Sequence, residues 1–275
     1  MKAILIWNKP SDYEIAHRII EEFNKFDIEI LTEDQSTEAA SVIIVLGGDG
    51  TMLHAIKNHQ HRKMPFIGIN TGTLGFLMNE RSEKVEKLVR KIVSCDYEVF
   101  TYPMFDVIMT DINDTSLSHC FIGDVVVERI TMNLTELELL IDDTPLNYFA
   151  GDGYIVTTPI GSTAYAVWAG GAAIHHSLHC LELVPMHPND SARNLPLKIP
   201  LVVPAEAKIQ FNVLFPELRG VRVAVDGCEI KPKESIKKVV IQPSEATVTF
   251  WNIARYDYLQ RIKSKIIDKE RIRKV

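Results

Sequence analysis

The feature that most restricts this chain is a continuous apolar run, Val42–Leu46, that stops in Gly47-Gly48-Asp49-Gly50-Thr51 and resumes at helical spacing with Met52, Leu53 and Ile56. A strand without polar alternation is covered on both faces. The run therefore predicts a central strand that feeds a helix through a glycine loop. The flanking pattern is consistent with this. Lys2–Trp7 reads as a short apolar strand. Ser11 with Glu14 reads as a capping box ahead of Ile15, Ile19, Ile20 and Phe23 at helical spacing. Phe66–Ile69 follows as a strand and Val85–Ile92 as a helix, which predicts an α/β unit with a mainly parallel sheet.

The pattern changes near Phe100. Phe105, Val107 and Met109 alternate, as do Leu137, Leu139 and Ile141, and Asp142-Asp143 and Asp226-Gly227 are turn signals between such runs. The expected organisation is an α/β domain over residues 1–100, a β-rich domain over 101–250, and a segment 251–275 that packs back on the first domain and is helical from Tyr256 to Ile267.

Composition excludes several classes. A net charge of -6 argues against a general nucleic-acid binder. From Arg261 onward, seven Lys/Arg face two acidic residues, which reads as a solvated basic helical terminus. The longest apolar candidate, Ala164–Ile174, falls short of the ~18 residues that a membrane span needs, and the N-terminus lacks a signal-peptide pattern. Cys95, Cys120, Cys180 and Cys228 form no CxxC pair, so we expect reduced, mostly buried thiols in a cytoplasmic protein. His175, His176 and His179 on an apparent helix read as surface or packing histidines, with no metal site expected.

Three regions can carry chemistry. In Gly47–Thr51, glycines let backbone N–H groups approach a phosphate at a helix N-terminus. Asp49 is out of place there if anion binding is the only task, because it repels the anion. Accepting a proton from an attacking hydroxyl fits it, and so does a plain strand-to-helix turn with an Asp cap. Gly68-Ile-Asn-Thr-Gly-Thr-Leu-Gly-Phe-Leu77 suits the wall of a cleft, and equally a structural loop. Gly151-Asp152-Gly153 is followed by Thr157-Thr158-Pro159-Ile160-Gly161-Ser162-Thr163-Ala164-Tyr165 and Gly170-Gly171. Hydroxyls such as that of Ser162 can hold ribose and phosphate, and Tyr165 can stack on a ring. A capped loop opening a helix at Ser162 or Thr163 explains the same residues. The chain has no P-loop, no Gly-x-Gly-x-x-Gly and no Gly-x-Ser-x-Gly.

Taken in order, these motifs resemble the NAD kinase family. The resemblance rests on Gly47-Gly-Asp-Gly-Thr51, Gly68-Ile-Asn-x-Gly-x-Leu-Gly-Phe76, Gly151-Asp-Gly153 and Thr158-Pro-x-Gly-Ser-Thr-Ala-Tyr165, with Leu201-Val-Val-Pro204 and Val225-Asp-Gly227. It implies phosphorylation of the 2′-hydroxyl of the adenosine ribose of NAD. The donor would be ATP or inorganic polyphosphate with nucleotide-bound Mg²⁺, and the enzyme a cytoplasmic homodimer or homotetramer. By the same resemblance Asp49 is the general base and Gly50 lies against the ligand. Phe76 belongs to the adenine pocket and Asp124 holds ribose hydroxyls. Asp152, Ser162, Thr163, Ala164 and Tyr165 contact the dinucleotide. The implied fold is an α/β N-terminal domain with a β-rich C-terminal domain.

The chain departs from the family pattern at Gly123, where an asparagine is usual, and at Ala150, Ile160, Ala166 and Ala172. Two other functions compete. A lipid or sugar kinase sharing the Gly-Gly-Asp-Gly loop would lack the polar loop Thr158–Tyr165 with Asp124 and Asp152. A dinucleotide-sensing module would have no use for Asp49.

Overall fold

The computed structural model describes residues 1–7, 10–31, 40–72, 75–190, 196–252 and 258–267. Thr73 and Leu74 of the second glycine region and Tyr256 of the expected C-terminal helix lie outside them. The chain divides into two compact units, Met1–Tyr102 with Thr247–Val275, and Pro103–Ala246.

The first unit contains β1 (Lys2–Trp7), α1 (Tyr13–Asn24), β2 (Glu29–Leu31), β3 (Val42–Gly47), α2 (Asp49–His59), β4 (Phe66–Asn70), β5 (Glu80–Arg81) and α3 (Val85–Val93). Its strands run β4-β3-β1-β2 and are parallel. Leu5, Ile44 and Ile67 lie in register across the sheet. They share a core with Ile19 and Phe23 of α1 and Leu88 and Val89 of α3. The residues on the other face, Ile4, Ile43 and Val45, are equally buried. That double burial is the reason the sequence shows no alternation here.

The helix starts at a different residue from the one the capping box implies. Pro10–Asp12 makes a 3₁₀ turn, and α1 starts at Tyr13 with Asp12 at the N-cap and no side-chain cap bond. Asp12 is buried instead toward Thr71, whose hydroxyl donates to it at 3.4 Å.

The second unit is antiparallel and β-rich. β6 (Glu98–Asp111) leads into it, followed by β7 (Ser116–Phe121), β8 (Asp124–Arg129), β9 (Thr135–Ile141), β10 (Thr144–Gly151), β11 (Gly153–Thr157), α4 (Tyr165–Trp168) and β12 (Cys180–Met186). β13 (Leu201–Pro204), β14 (Ile209–Val213), β15 (Val221–Val225), β16 (Cys228–Ile230) and β17 (Ile236–Asn252) complete it. A six-stranded sheet, β13-β12-β11-β8-β15-β16, and the strands β10-β9-β14-β17 contribute to one core. Both predicted turns are two-residue hairpin loops. Asp142 and Asp143 sit at φ 50° and 61°, and Asp226 and Gly227 at 48° and 76°, the left-handed pairs that a type I′ turn requires. After β17 the chain returns to the first unit as α5 (Tyr258–Ile262) and a helical turn, Lys263–Ile267.

Three local expectations are corrected. No helix begins at Ser162 or Thr163: turns run through 159–164, and α4 is only four residues long. Glycines at 161, 170 and 171 leave little chain with helical preference. His175 is in irregular chain and His176 in a turn, their rings stacked 4.3 Å apart, not on a helix. The cysteines are free but not mostly buried: Cys95 is exposed and the other three are half-buried. Cys95 follows α3 at φ 53°, where the chain turns outward. Among the described residues no helix is long and apolar enough to cross a membrane.

Tyr154 lies at the centre of the second core, between Phe149 and Phe211 at centroid distances of 4.6 and 5.2 Å. Its hydroxyl is buried without a hydrogen-bond partner among the described residues. Burying an unpaired hydroxyl costs about 1–3 kcal/mol. Tyr154→Phe is therefore expected to raise stability in urea unfolding by roughly 1 kcal/mol. A loss of stability would show that the hydroxyl is paired after all.

Candidate active site

In the first unit Asp49 is the first residue of α2, where the helix dipole favours an acidic side chain. Its two carboxylate oxygens accept the backbone N–H groups of Phe76 at 2.8 Å and Leu77 at 2.9 Å. Two glycine-rich segments that read as separate loops in the sequence are thus joined through one side chain. Gly75 makes the joint possible, because a Cβ there would fall 1.9 Å from Asp49 Oδ1. Gly50, beside Asp49, is exposed, with nothing within 4 Å of a Cβ placed on it.

The loop over Phe76 is held from behind by the C-terminal segment. Asn79 accepts the Gly68 N–H at 2.8 Å and donates to the Trp251 carbonyl at 2.9 Å. Arg261 of α5 donates to the carbonyls of Gly75 and Phe76. The Phe76 ring is buried, with Tyr258 at 6.3 Å and the Lys265 ammonium 4.9 Å from its centroid. Lys265 Nζ lies 3.8 Å from Asp49 Oδ2. Sequence reasoning did not place these two cations beside the loop. Arg261 is buried, so the expectation of a solvated basic terminus is corrected there. Their four-residue spacing was the available signal.

In the second unit Asp124 opens β8 and is buried. The stretch 122–124 is clasped from two sides. Asp226, in its hairpin turn, accepts the N–H groups of Ile122, Gly123 and Asp124 at 3.1, 2.8 and 3.1 Å. The Thr158 hydroxyl donates to the Ile122 carbonyl at 2.6 Å and accepts the Ile160 N–H, while the Thr158 N–H donates to the Gly123 carbonyl at 2.9 Å. Gly161 packs so closely that a Cβ would lie 2.4 Å from the Gly123 oxygen. Burial, and then the neighbouring Asp226 carboxylate, push the Asp124 carboxyl up to about 6. Asp226 was read only as a turn residue, since the fold alone brings it beside Gly123.

The remaining expected residues fall into two groups. The Ser162 hydroxyl points inward, donating to the Pro159 carbonyl at 2.8 Å and accepting the Ile174 N–H at 3.0 Å, so it braces its loop. Thr163 is half-buried, and Ala164 and Tyr165 are exposed at the end of that loop. Asp152 pairs with Arg129 Nε at 2.6 Å and His187 Nδ1 at 3.0 Å. The ladder sets Thr157 opposite Asp124 and Gly153 opposite Glu128. Asp152 is therefore about five residues along from Asp124, roughly 16 Å at ~3.3 Å per residue. The two carboxylates therefore do not share one pocket.

The arrangement has known counterparts. Residues 3–97 match the ATP-NAD kinase N-terminal domain and residues 124–253 the ATP-NAD kinase C-terminal domain. An NAD kinase of Ralstonia nicotianae is 31% identical over 241 residues, covering 87% of this chain and 78% of the relative. The crystal structure of an NAD kinase from Archaeoglobus fulgidus in complex with ATP superposes with a TM-score of 0.76 at 26% identity, over 96% of this chain and 99% of that one. A yeast NADH kinase complexed with NADH gives a TM-score of 0.81 at 20% identity, over 96% and 87%, and so shares the fold.

Two outcomes follow from this geometry. Gly75→Ala places a methyl group where the Asp49 carboxylate lies, so turnover should fall at least tenfold while the melting of the second unit is unchanged. Wild-type turnover in that variant would mean that the carboxylate does not need its present position. The second outcome concerns pH. The folded-state value of Asp124 lies above the ordinary 3.8. This carboxyl therefore favours the folded chain below about pH 4, and the advantage is lost as pH rises through 6. Asp124→Asn should be about 1–3 kcal/mol more stable than the parent at pH 8, at roughly 1.4 kcal/mol per pH unit, and equal to it below pH 4. A stability difference that does not change with pH would contradict this.

Proposed function

The chain belongs to the NAD kinase family, and from that premise we propose that it phosphorylates the 2′-hydroxyl of the adenosine ribose of NAD, with ATP as donor, to make NADP. The observation that carries the reading is Asp49: an acid at a helix N-terminus, fixed by two backbone N–H groups, in a loop otherwise suited to phosphate. A carboxylate held this way is ready to accept the hydroxyl proton as the ribose oxygen attacks the terminal phosphorus. Fixing it in advance removes the cost of arranging it during reaction.

The other residues bind and orient. Asp124 accepts the hydroxyls of a ribose, and its burial strengthens those bonds because they meet little competing water. Asp152, held by Arg129 and His187, takes a polar group of the dinucleotide some distance away. Thr163, Ala164 and Tyr165 line the end of the loop that Ser162 braces, where Tyr165 has an exposed ring for stacking. Gly50 leaves room beside the base, and buried Phe76 supports the adenine side from beneath.

Among the described residues no group of three or more His, Cys, Asp or Glu side chains could hold a metal ion. We infer that Mg²⁺ is carried by the donor's phosphates, with few protein ligands, as is usual for this ion. When bound, it would neutralise phosphate charge. From the family resemblance we infer a cytoplasmic homodimer or homotetramer, with inorganic polyphosphate as an alternative donor.

The test is Asp49→Asn. The asparagine oxygen keeps one loop N–H bond, so NAD affinity by calorimetry should stay within a few-fold. The loss of the base should lower kcat by about 10²–10⁴. The parent should phosphorylate NAD and leave diacylglycerol and fructose 6-phosphate untouched. Near-normal turnover of the variant would remove Asp49 from its role.

A further inference from the structure

We propose that Lys265, on the turn Lys263–Ile267, is a catalytic residue: its ammonium binds the phosphoryl group in transit next to Asp49. The proposal rests on the reading of Asp49 as the base.

The argument starts from a charge conflict. An anionic base and an anionic donor must approach the same ribose oxygen. The glycine loop answers only part of this, because two N–H groups that could face a phosphate, those of Phe76 and Leu77, are already taken by Asp49. A fixed cation beside the base resolves the conflict, and Lys265 is placed there. Its Nζ lies 3.8 Å from Asp49 Oδ2, close enough to act through its field but too far for a hydrogen bond. The same ammonium lies 4.9 Å from the Phe76 ring centroid, a cation–π contact that holds it without using its N–H donors.

A purely structural role is poorly supported. Asp49 is already anchored by two backbone donors, and the loop behind it is already pinned by Arg261 and Asn79. A loose pair at this distance adds little stability. What Lys265 does have is a half-buried charge. Burial, with Arg261 adding to it and Asp49 opposing, pushes the ammonium down from the ordinary lysine range. A poorly hydrated cation interacts more strongly with an incoming phosphate than a solvated one does.

In the step itself, the ribose oxygen forms a bond to the terminal phosphorus as the bond from that phosphorus to its bridging oxygen breaks. The bridging oxygen leaves on ADP with the electron pair, and the ribose proton goes to Asp49. Lys265 stays protonated throughout and offsets the charge on the oxygens of the moving group.

The experiment compares Lys265→Gln, which removes the charge, with Lys265→Arg, which keeps it. We expect Lys265→Gln to lower kcat with ATP about 10²–10³-fold, the usual effect of losing one preorganised charge-stabilising group. NAD affinity by calorimetry should stay within twofold, and binding of inorganic tripolyphosphate should weaken about tenfold. Lys265→Arg should recover at least a tenfold part of the lost rate. A kcat for Lys265→Gln within threefold of the parent would overturn the proposal. So would equal losses in both variants with a lowered melting temperature, because that outcome marks a structural lysine. If Asp49→Asn is inactive while Lys265→Gln is not, only the lysine assignment fails. If Asp49→Asn keeps its turnover, the reading of the base fails first.

Discussion

Asp49 accepts two backbone hydrogen bonds from a segment about 27 residues further along the chain, and the arrangement of the first unit's functional loops depends on those two contacts. Hydrogen bonds to a charged acceptor contribute about 1.5–3 kcal/mol each. Here they do more than stabilise. They fix the loop Gly75–Leu77 against the start of α2, and that loop in turn gives Arg261 two carbonyls to hold. The missing side chain at Gly75, the acid at Asp49 and the guanidinium at Arg261 form one mechanical chain, so disturbing any of them moves the Asp49 carboxylate.

The second unit solves a parallel problem with the opposite sign of cost. Its carboxylate, Asp124, is buried next to another carboxylate, Asp226, an arrangement that stability alone would not favour. Asp226 is needed there because it collects three backbone N–H groups that the β8 start would otherwise leave unpaired. The ribose that we propose for Asp124 would recover part of the cost of that burial.

The departures from the family pattern gain a physical reading at one position. Gly123 is packed against the backbone of Gly161 and bonded through both of its peptide groups to Asp226, Thr158 and Thr157. Backbone contacts hold this stretch in place, and they do not depend on what side chain stands at 123. The loss of an asparagine there therefore leaves the clasp intact.

Local chemistry along the chain was enough to read the two-domain class, the buried central strand, the turn positions at Asp142-Asp143 and Asp226-Gly227 and the three motifs, because each depends on apolar period, on glycine at a tight approach, or on acidic residues that tolerate positive φ. It also placed Asp49 at a helix start. It could not reveal that Asp49 closes onto Phe76 and Leu77, that Asp226 clasps Gly123 across more than a hundred residues, or that Asp124 and Asp152 stand at opposite ends of a strand pair. Nor could it separate Arg261 and Lys265 from an ordinary basic tail, or show that Asp12 and Ser162 turn inward and not toward a helix cap and a ligand. Those outcomes depend on which distant backbone groups come to face each side chain, and only the packed sheets and the returning C-terminal segment decide that.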